Sequence, residues 1–199
     1  MKTRFLTIFT TLIIVLGIAG STFAATAGKE NITILNHISR ISKIEVHGNV
    51  ELYLSDGAAD EVKVYNKYYS ESALVQCQNG VLRISSYQAE KLVVWVTAAD
   101  LRAISLYDNA AVKSFGSFSQ IALDVELHNT ASANLDLDVV SANVAVYDNG
   151  KANLKGTVQD FDLTFSRSAS VNQTGFVARN ISTTLTTGKK DNGEDIAGL

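Results

Sequence analysis

A short polar phrase recurs at nearly even intervals through the second half of this chain. YDNAAV begins at Tyr107 and returns as YDNGKA at Tyr147, with HNTASA at His128 between them and SRSASV at Ser166 after them. The intervals between these starting positions are close to 20 residues, a length that, for units made of strands and turns, is typical of chains in which one short unit stacks on the next.

Each unit begins with an alternation of apolar and polar residues. Two apolar residues flank one polar or small residue, and this period of two predicts a half-buried strand. The phrase itself is rich in Asn, Asp, Gly, Ser and Ala, which turn the backbone readily. Its fourth position is always small, as expected where a turn packs against its own copies. The apolar pairs are Ile104 and Leu106, Val125 and Leu127, Val144 and Val146, Leu163 and Phe165, and the small residues are Ala110, Ala131, Gly150 and Ala169.

These patterns predict an all-β, single-domain solenoid, namely a right-handed parallel β-helix with coils of about 20 residues. Equivalent positions would then form columns with the spacing of neighbouring strands, about 4.8 Å. Leucine-rich repeats have a similar period, but the chain lacks their leucine spacing and their Asn or Cys step. The nine-residue calcium-binding repeat has a different period and a glycine pattern that the chain does not contain.

The first half of the chain has longer alternating segments. These are ISKIEVHGNVELYLSDG, EVKVYNKYY, VLRISSY and KLVVWVTA, separated by DGAAD and QNG turns. HGNVELYL, residues 47–54, again resembles the turn phrase followed by an apolar row. This half is interpreted as wider first coils, with one antiparallel excursion around QNGVLRI.

The N-terminus has the three regions of a secretory signal peptide. Lys2 and Arg4 precede the apolar run FLTIFTTLIIVLGIAG, and STFAATAG supplies small residues for cleavage. We expect cleavage after Ala24, with Ala25 or Ala27 as alternative sites and an uncleaved membrane anchor as the remaining alternative. The expected organisation is a signal peptide at 1–24, a lead-in at 25–37, one β domain at 38–187 and a polar tail at 188–199. The expected location is the periplasm, the cell surface or the extracellular space.

The net charge and the cysteine content argue against some classes of partner and exclude an internal disulfide. Loss of Lys2 and Arg4 with the signal peptide changes the formal net charge from −3 to −5. This mild acidity argues against a nucleic-acid partner and against binding to an anionic membrane surface. The sequence shows no second hydrophobic span, so we expect no stable membrane insertion after cleavage. Cys77 is the only cysteine, so an internal disulfide is excluded, and an inert, buried thiol is expected.

Part of the chain resembles the head GIN domain family of exported bacterial proteins, a family named for autotransporter adhesins. The resemblance covers roughly residues 38–187. It implies a β-helix-like fold and an adhesin-type role, and it brings no established activity or catalytic residues. The matching residues are Ile44, Val46, Gly48, Glu51 to Leu54 and Asp56-Gly57, then Gly80, Leu82 and Ile84, then the small-residue steps Asn109-Ala110, Thr130-Ala131, Asn149-Gly150 and Ser168-Ala169.

Catalytic and metal-binding motifs are weak in this sequence. His37, His47 and His128 lack the spacing of metal ligands, and neither a nucleophile motif nor a phosphate loop occurs. We therefore expect no metal, no cofactor and no catalytic residues. A set of acids could still serve a polysaccharide-cleaving enzyme as general acid and base or as calcium ligands, although solvated positions and turn caps explain them as well. The set is Asp124, Asp136, Asp138, Asp160 and Asp162, in which the repeat interval aligns Asp124, Asn143 and Asp162.

Tyr107, His128 and Tyr147 are the candidate binding residues. They occupy the same place in three successive units and stand beside Asp108, Asn129 and Asp148. Aromatic faces next to amide and carboxylate groups suit sugar rings, whereas stacking between units is the structural alternative. The expected function is a non-catalytic, exported envelope or surface module that binds a surface glycan or a protein. A carbohydrate-active β-helix enzyme is the alternative.

Overall fold

The computed structural model describes residues 32–35, 38, 40–65 and 73–186. The expected signal peptide, most of the lead-in with His37, and the polar tail lie outside these residues. Within the described ranges, no helix has the length and apolar character needed to cross a membrane. The strands in this part of the chain are β1 (Ile32–Ile34), β2 (Lys43–Gly48), β3 (Val50–Asp56), β4 (Glu61–Tyr65), β5 (Ala73–Gln78), β6 (Val81–Ser86), β7 (Leu92–Ala98), β8 (Ala103–Leu106), β9 (Ala111–Ser114), β10 (Phe118–Leu127), β11 (Ser132–Val146), β12 (Lys151–Ser166), β13 (Ser170–Asn172) and β14 (Phe176–Thr186).

The prediction of an all-β chain is confirmed, but the prediction of a right-handed parallel β-helix solenoid with regular coils is wrong. The strands form one curled, mixed sheet. Its main path runs β1-β4-β7-β3-β9-β11-β10-β8-β2-β6-β5, and β12 joins β11 and pairs with β13 and β14. The pairs β1–β4, β4–β7 and β5–β6 are antiparallel. A parallel β-helix cannot contain such reversals.

The physical reason for the difference lies in the first half of the chain. Ile44 in β2 pairs with Leu82 of β6 and with Ile104 of β8, which are both distant in the sequence, instead of with residues one repeat unit along the chain. In the second half, β10, β11 and β12 are parallel neighbours at the interval of the repeated phrase, as in the pair Val125 and Val144. The two halves therefore follow different pairing rules within one sheet.

The long strands β11 and β12 curl the sheet around its core. In β11 the buried residues are odd-numbered up to Val139 and even-numbered from Ala142, so two consecutive residues, Val140 and Ser141, face away from the core. The start of β11 pairs with β9 and its end pairs with β10. This bend lets one strand belong to both parts of the sheet, and the core of Ile, Leu, Val and Phe side chains lies on the inner face.

The antiparallel excursion expected around QNGVLRI is present as the hairpin of β5 and β6. Its turn places Asn79 at a φ of 51° and Gly80 at a φ of 80°. Asn-Gly is a favoured pair for a two-residue hairpin turn because both positions require a positive φ. Cys77 lies in β5, is partly buried and packs against the core.

Candidate functional site

Three of the four repeated phrases form turns in which Asp or Asn takes a left-handed backbone conformation. Asp108, Asn129 and Asp148 have φ values of 61°, 59° and 52°. Asn and Asp adopt this conformation more readily than other residues with a Cβ atom. The fourth residue of each turn donates its N–H to the carbonyl of the first, as Ala131 does to His128 at 3.1 Å. Three of the four phrases are therefore turns with a left-handed Asx residue at their second position, whereas the fourth has Arg167 there.

The side chains of these Asx residues connect each turn to its neighbour. The Gly48 N–H donates to Asp108 Oδ2 at 3.0 Å, and the Asp108 N–H donates to Asn129 Oδ1 at 3.1 Å. The Asn129 N–H donates to Asp148 Oδ2 at 2.9 Å. Each acceptor satisfies a backbone donor that the turn itself leaves free, so these carboxylates and amides have a structural role.

The three candidate binding residues come together in one column of stacked rings. The ring centroids of Tyr107 and His128 are 4.7 Å apart with an interplanar angle of 5°, and those of His128 and Tyr147 are 5.0 Å apart at 22°. His47 extends the column, since its ring lies 4.4 Å from that of Tyr107 at 2°. We call these four residues the ring column.

His47 was not among the predicted site residues. The signal for it was present, because HGN at residues 47–49 resembles the turn phrase. The sequence interval did not reveal it, because His47 and Tyr107 are far apart in the chain although their strands are adjacent.

The column covers the faces of its inner rings. Tyr107 lies between His47 and His128, and His128 lies between Tyr107 and Tyr147, so neither inner ring offers a free face. Burial, together with the nearby Glu126 carboxylate, raises the pKa of the Tyr107 phenol, which therefore stays neutral. His128 Nε2 is buried without a hydrogen-bond partner, 3.9 Å from Glu126 Oε2. The imidazole thus retains unused hydrogen-bonding capacity.

The column of rings stops at Tyr147, whereas the sheet continues. The next position in register is Ser166 at the end of β12, and Thr186 at the end of β14 pairs with Ser166. The Ser166 and Ser168 hydroxyls both donate to the Asp148 carbonyl, at 2.8 and 2.5 Å. Among the described residues, Tyr147 has a ring partner on one side and a small hydroxyl side chain on the other.

The predicted alignment of Asp124, Asn143 and Asp162 is confirmed by the register of β10, β11 and β12. The Asn143 amide donates to Asp124 Oδ1 at 2.7 Å. Asn180 donates in the same way to Asp160 Oδ1 at 2.7 Å. Two of the five acids are thus bonded to asparagine side chains on neighbouring strands. Across the described part of the chain, no cluster of three His, Cys, Asp or Glu side chains is arranged to hold a metal ion.

Comparisons with solved structures support the fold. A "putative adhesin" from Bacteroides fragilis shares 16% identity over 78% of this chain and 77% of its own, with a TM-score of 0.68. A "putative adhesin" from Parabacteroides distasonis shares 16% identity over 79% of each chain, with a TM-score of 0.60. A "putative lipid binding protein" from the same species shares 10% identity over 80% of this chain and 79% of its own, also with a TM-score of 0.60.

At these identities the likeness establishes the fold alone. No curated protein matches the sequence. The family model described as "Putative auto-transporter adhesin, head GIN domain" matches residues 40–190, which is most of the chain. The protein therefore belongs to the head GIN domain family.

Proposed function

We propose that this protein is an exported, non-catalytic binding module of the adhesin type, and that it contacts a surface glycan or protein through the strip formed by Tyr107, His128 and Tyr147. The proposal rests on the observation that the ring column ends before the sheet does. The rings stop at Tyr147, while two further strands continue with Ser166 and Thr186 at the equivalent positions. Because the next position carries only the small side chain of Ser166, we expect a flat group of a ligand to stack against Tyr147 as the next member of the column.

The chemistry around Tyr147 suits a ligand that is apolar on its face and polar at its edge. Sugar rings and aromatic side chains both have this character, and both stack on tyrosine. Ser166, Arg167 and Ser168 follow at the adjacent turn, and Arg167 and Ser168 are exposed. Hydroxyl and guanidinium groups beside an aromatic face provide the directional contacts that fix a ligand's orientation.

The inner rings have a different part in this proposal. Tyr107 and His128 are held between neighbours on both faces, so they fix the position of Tyr147 and present only their edges. A contact surface that is already ordered before binding loses less entropy when the ligand arrives. Family membership supports the adhesin-type role, because the family is described by that function.

The alternative of a polysaccharide-cleaving enzyme relies on the acid set in the second half of the chain. In the structure, Asp124 and Asp160 accept hydrogen bonds from Asn143 and Asn180. These contacts hold the carboxylates as parts of side-chain ladders between strands. These two contacts support the binding proposal rather than the enzymatic alternative.

The proposal predicts different effects for two tyrosines of the column. Tyr147→Ala should weaken binding about 5- to 30-fold, because one ring contact contributes about 1 to 2 kcal/mol. Tyr107→Ala should lower the melting temperature more than Tyr147→Ala, because it removes two stacking contacts. The measurements are binding of the labelled mature protein to a glycan array and to intact cells, with thermal melting of both variants.

If Tyr147→Ala melts early while its binding per folded molecule is unchanged, the column only packs the turns and the proposed strip is wrong. Analysis of the products from any glycan hit tests the enzymatic alternative. Cleaved glycan would overturn the non-catalytic assignment.

Export is tested separately. The signal-peptide pattern predicts that the exported protein begins at Ala25. N-terminal sequencing by mass spectrometry of protein from the periplasm and the medium checks this. Met1 retained on protein in a membrane fraction would contradict cleavage and favour the membrane anchor.

A further inference from the structure

A second group of aromatic side chains lies on the outer face of the first half of the sheet. Tyr53, Tyr65 and Trp95 come from β3, β4 and β7, and Phe115 follows β9 directly. In these strands the alternate residues, such as Leu52, Leu54, Val94 and Val96, are buried in the core. The rings therefore stand on the side of the sheet that faces away from the core. We call these four residues the Trp95 cluster.

Trp95 is the centre of this cluster. Its ring stacks on Tyr53 at 4.7 Å and 16°, and it contacts Phe115 at 5.3 Å and 58° and Tyr65 at 6.4 Å and 54°. Phe115 is 66% exposed, although it touches the cluster. Cross-strand packing explains the stack of Tyr53 on Trp95, and the exposed ring of Phe115 adds accessible aromatic surface to the cluster.

The charged groups beside the cluster are held in ion pairs. Glu51 accepts a hydrogen bond from the Tyr53 hydroxyl at 2.8 Å and forms ion pairs with Lys113 and Lys91. The Lys113 ammonium, together with this phenol, lowers the pKa of Glu51, and the same Glu51 hydrogen bond raises the pKa of Tyr53. Lys63 pairs with Glu61 at 2.7 Å. Three lysines thus pair with two glutamates here, so this end of the face carries one surplus positive charge among groups fixed by ion pairs and hydrogen bonds.

The pairing of neighbouring strands extends this surface into a row of side chains that crosses the sheet. Lys63, Trp95, Tyr53 and Lys113 are successive neighbours across β4, β7, β3 and β9. The row continues through β11, β12 and β13, so it crosses seven strands and spans about 29 Å at the usual strand spacing. Its last three members are the exposed residues Asn134, Asn153 and Asn172.

From this arrangement we infer that the Trp95 cluster and the three asparagines at the end of the row form a binding site for an oligosaccharide that runs across the strands. The apolar C–H faces of sugars with equatorial hydroxyls stack on aromatic rings, for which Phe115 and Trp95 are placed at one end. Asparagine amides both donate and accept, so they match the hydroxyls of the following sugars. This site does not include the strip of Tyr107, His128 and Tyr147, and its test does not depend on that strip.

Trp95 makes this inference directly measurable, because it is the only tryptophan in the chain. We expect cellohexaose or hexa-N-acetylchitohexaose to change the Trp95 fluorescence of the full mature protein in a saturable way. No saturable change with either hexamer overturns the inference.

Two substitutions test separately what the Trp95 cluster and the asparagines contribute to binding. Phe115→Ala should weaken binding of the hexamer about 5- to 10-fold, and it creates no buried cavity because the side chain is mostly exposed. Asn153→Ala should weaken binding of the hexamer but leave binding of the disaccharide built from the same sugar unchanged, because only the longer chain reaches from Trp95 to β12. The control is Ile121→Ala, which removes a side chain that is 80% exposed on β10, outside the row. Equal affinities for native protein, Phe115→Ala and Ile121→Ala would contradict the site.

Discussion

Replacing Gly156 with alanine should destabilise the protein by about 2 to 4 kcal/mol. Gly156 lies within β12, opposite Leu137 of β11, and has a φ of 100°. A Cβ atom there would lie 2.0 Å from the Leu137 carbonyl oxygen and 2.8 Å from the Leu137 nitrogen. Both are backbone atoms of the adjacent strand, so the two longest strands of the sheet must separate locally to admit a methyl group.

Gly175→Ala is the matched control for this prediction. Gly175 has a φ of 82°, but a Cβ atom there would meet nothing within 4 Å. Its substitution introduces the backbone strain alone, at a cost of about 1 to 2 kcal/mol. Chemical denaturation of both variants gives the comparison. If their midpoints coincide, the close approach of β11 and β12 at Gly156 contributes nothing to stability and the prediction fails.

Replacing Ala131 with leucine should destabilise the protein by about 1 to 3 kcal/mol, because it adds volume to a filled core. Ala131 is fully buried, as is Ala110 in the turn before it. Gly150 occupies the same place in the next turn, where even a Cβ atom would lie 2.9 Å from Val146 Cγ1. A column that barely admits a methyl group has no space for an isobutyl side chain.

Ser132→Leu tests whether the loss of stability depends on the face of the sheet to which the new side chain points. Ser132 is the next residue, is half-buried and pairs with Ala111 and Lys151 on the outer face. Its substitution should change the free energy of unfolding by less than about 0.5 kcal/mol. Similar denaturation midpoints for the two leucine variants would mean that Ala131 does not face the core.

The repeated phrase and its apolar alternation predicted the strand pairing in the second half of the chain better than in the first half. The apolar pairs around Val125 and Val144 were matched correctly because their strands are adjacent after one repeat interval and are joined by the same turn. In the first half, β3 lies between β7 and β9, which are separated from it in the chain by β4 to β6 and by β4 to β8. Alternation shows that a strand has a buried face, but it carries no information on which distant strand is its neighbour.

The same distinction applies to the candidate sites. Tyr107, His128 and Tyr147 could be aligned from the sequence because equal spacing places them in one column. The Trp95 cluster could not be found in this way, since Tyr65 reaches it through an antiparallel pairing of β4 with β7. Phe115, which follows β9 directly, reaches the cluster with a ring that lies outside the core. Which rings meet depends on how strands pair with one another, and the alternation of residues along a single strand does not contain this information.

The position of β2 and β3 in the sheet has a consequence for the order in which the chain folds. Both strands lie between partners that come later: β2 lies between β6 and β8, and β3 lies between β7 and β9. A chain that emerges with its N-terminus first cannot complete these pairings until Ser114, the last residue of β9, is available. The strands β10, β11 and β12 need only contacts across one repeat interval, which form faster than the longer-range contacts of β2 with β8 and of β3 with β9. We therefore expect nucleation in the part of the chain that is made last, with β2 and β3 added afterwards.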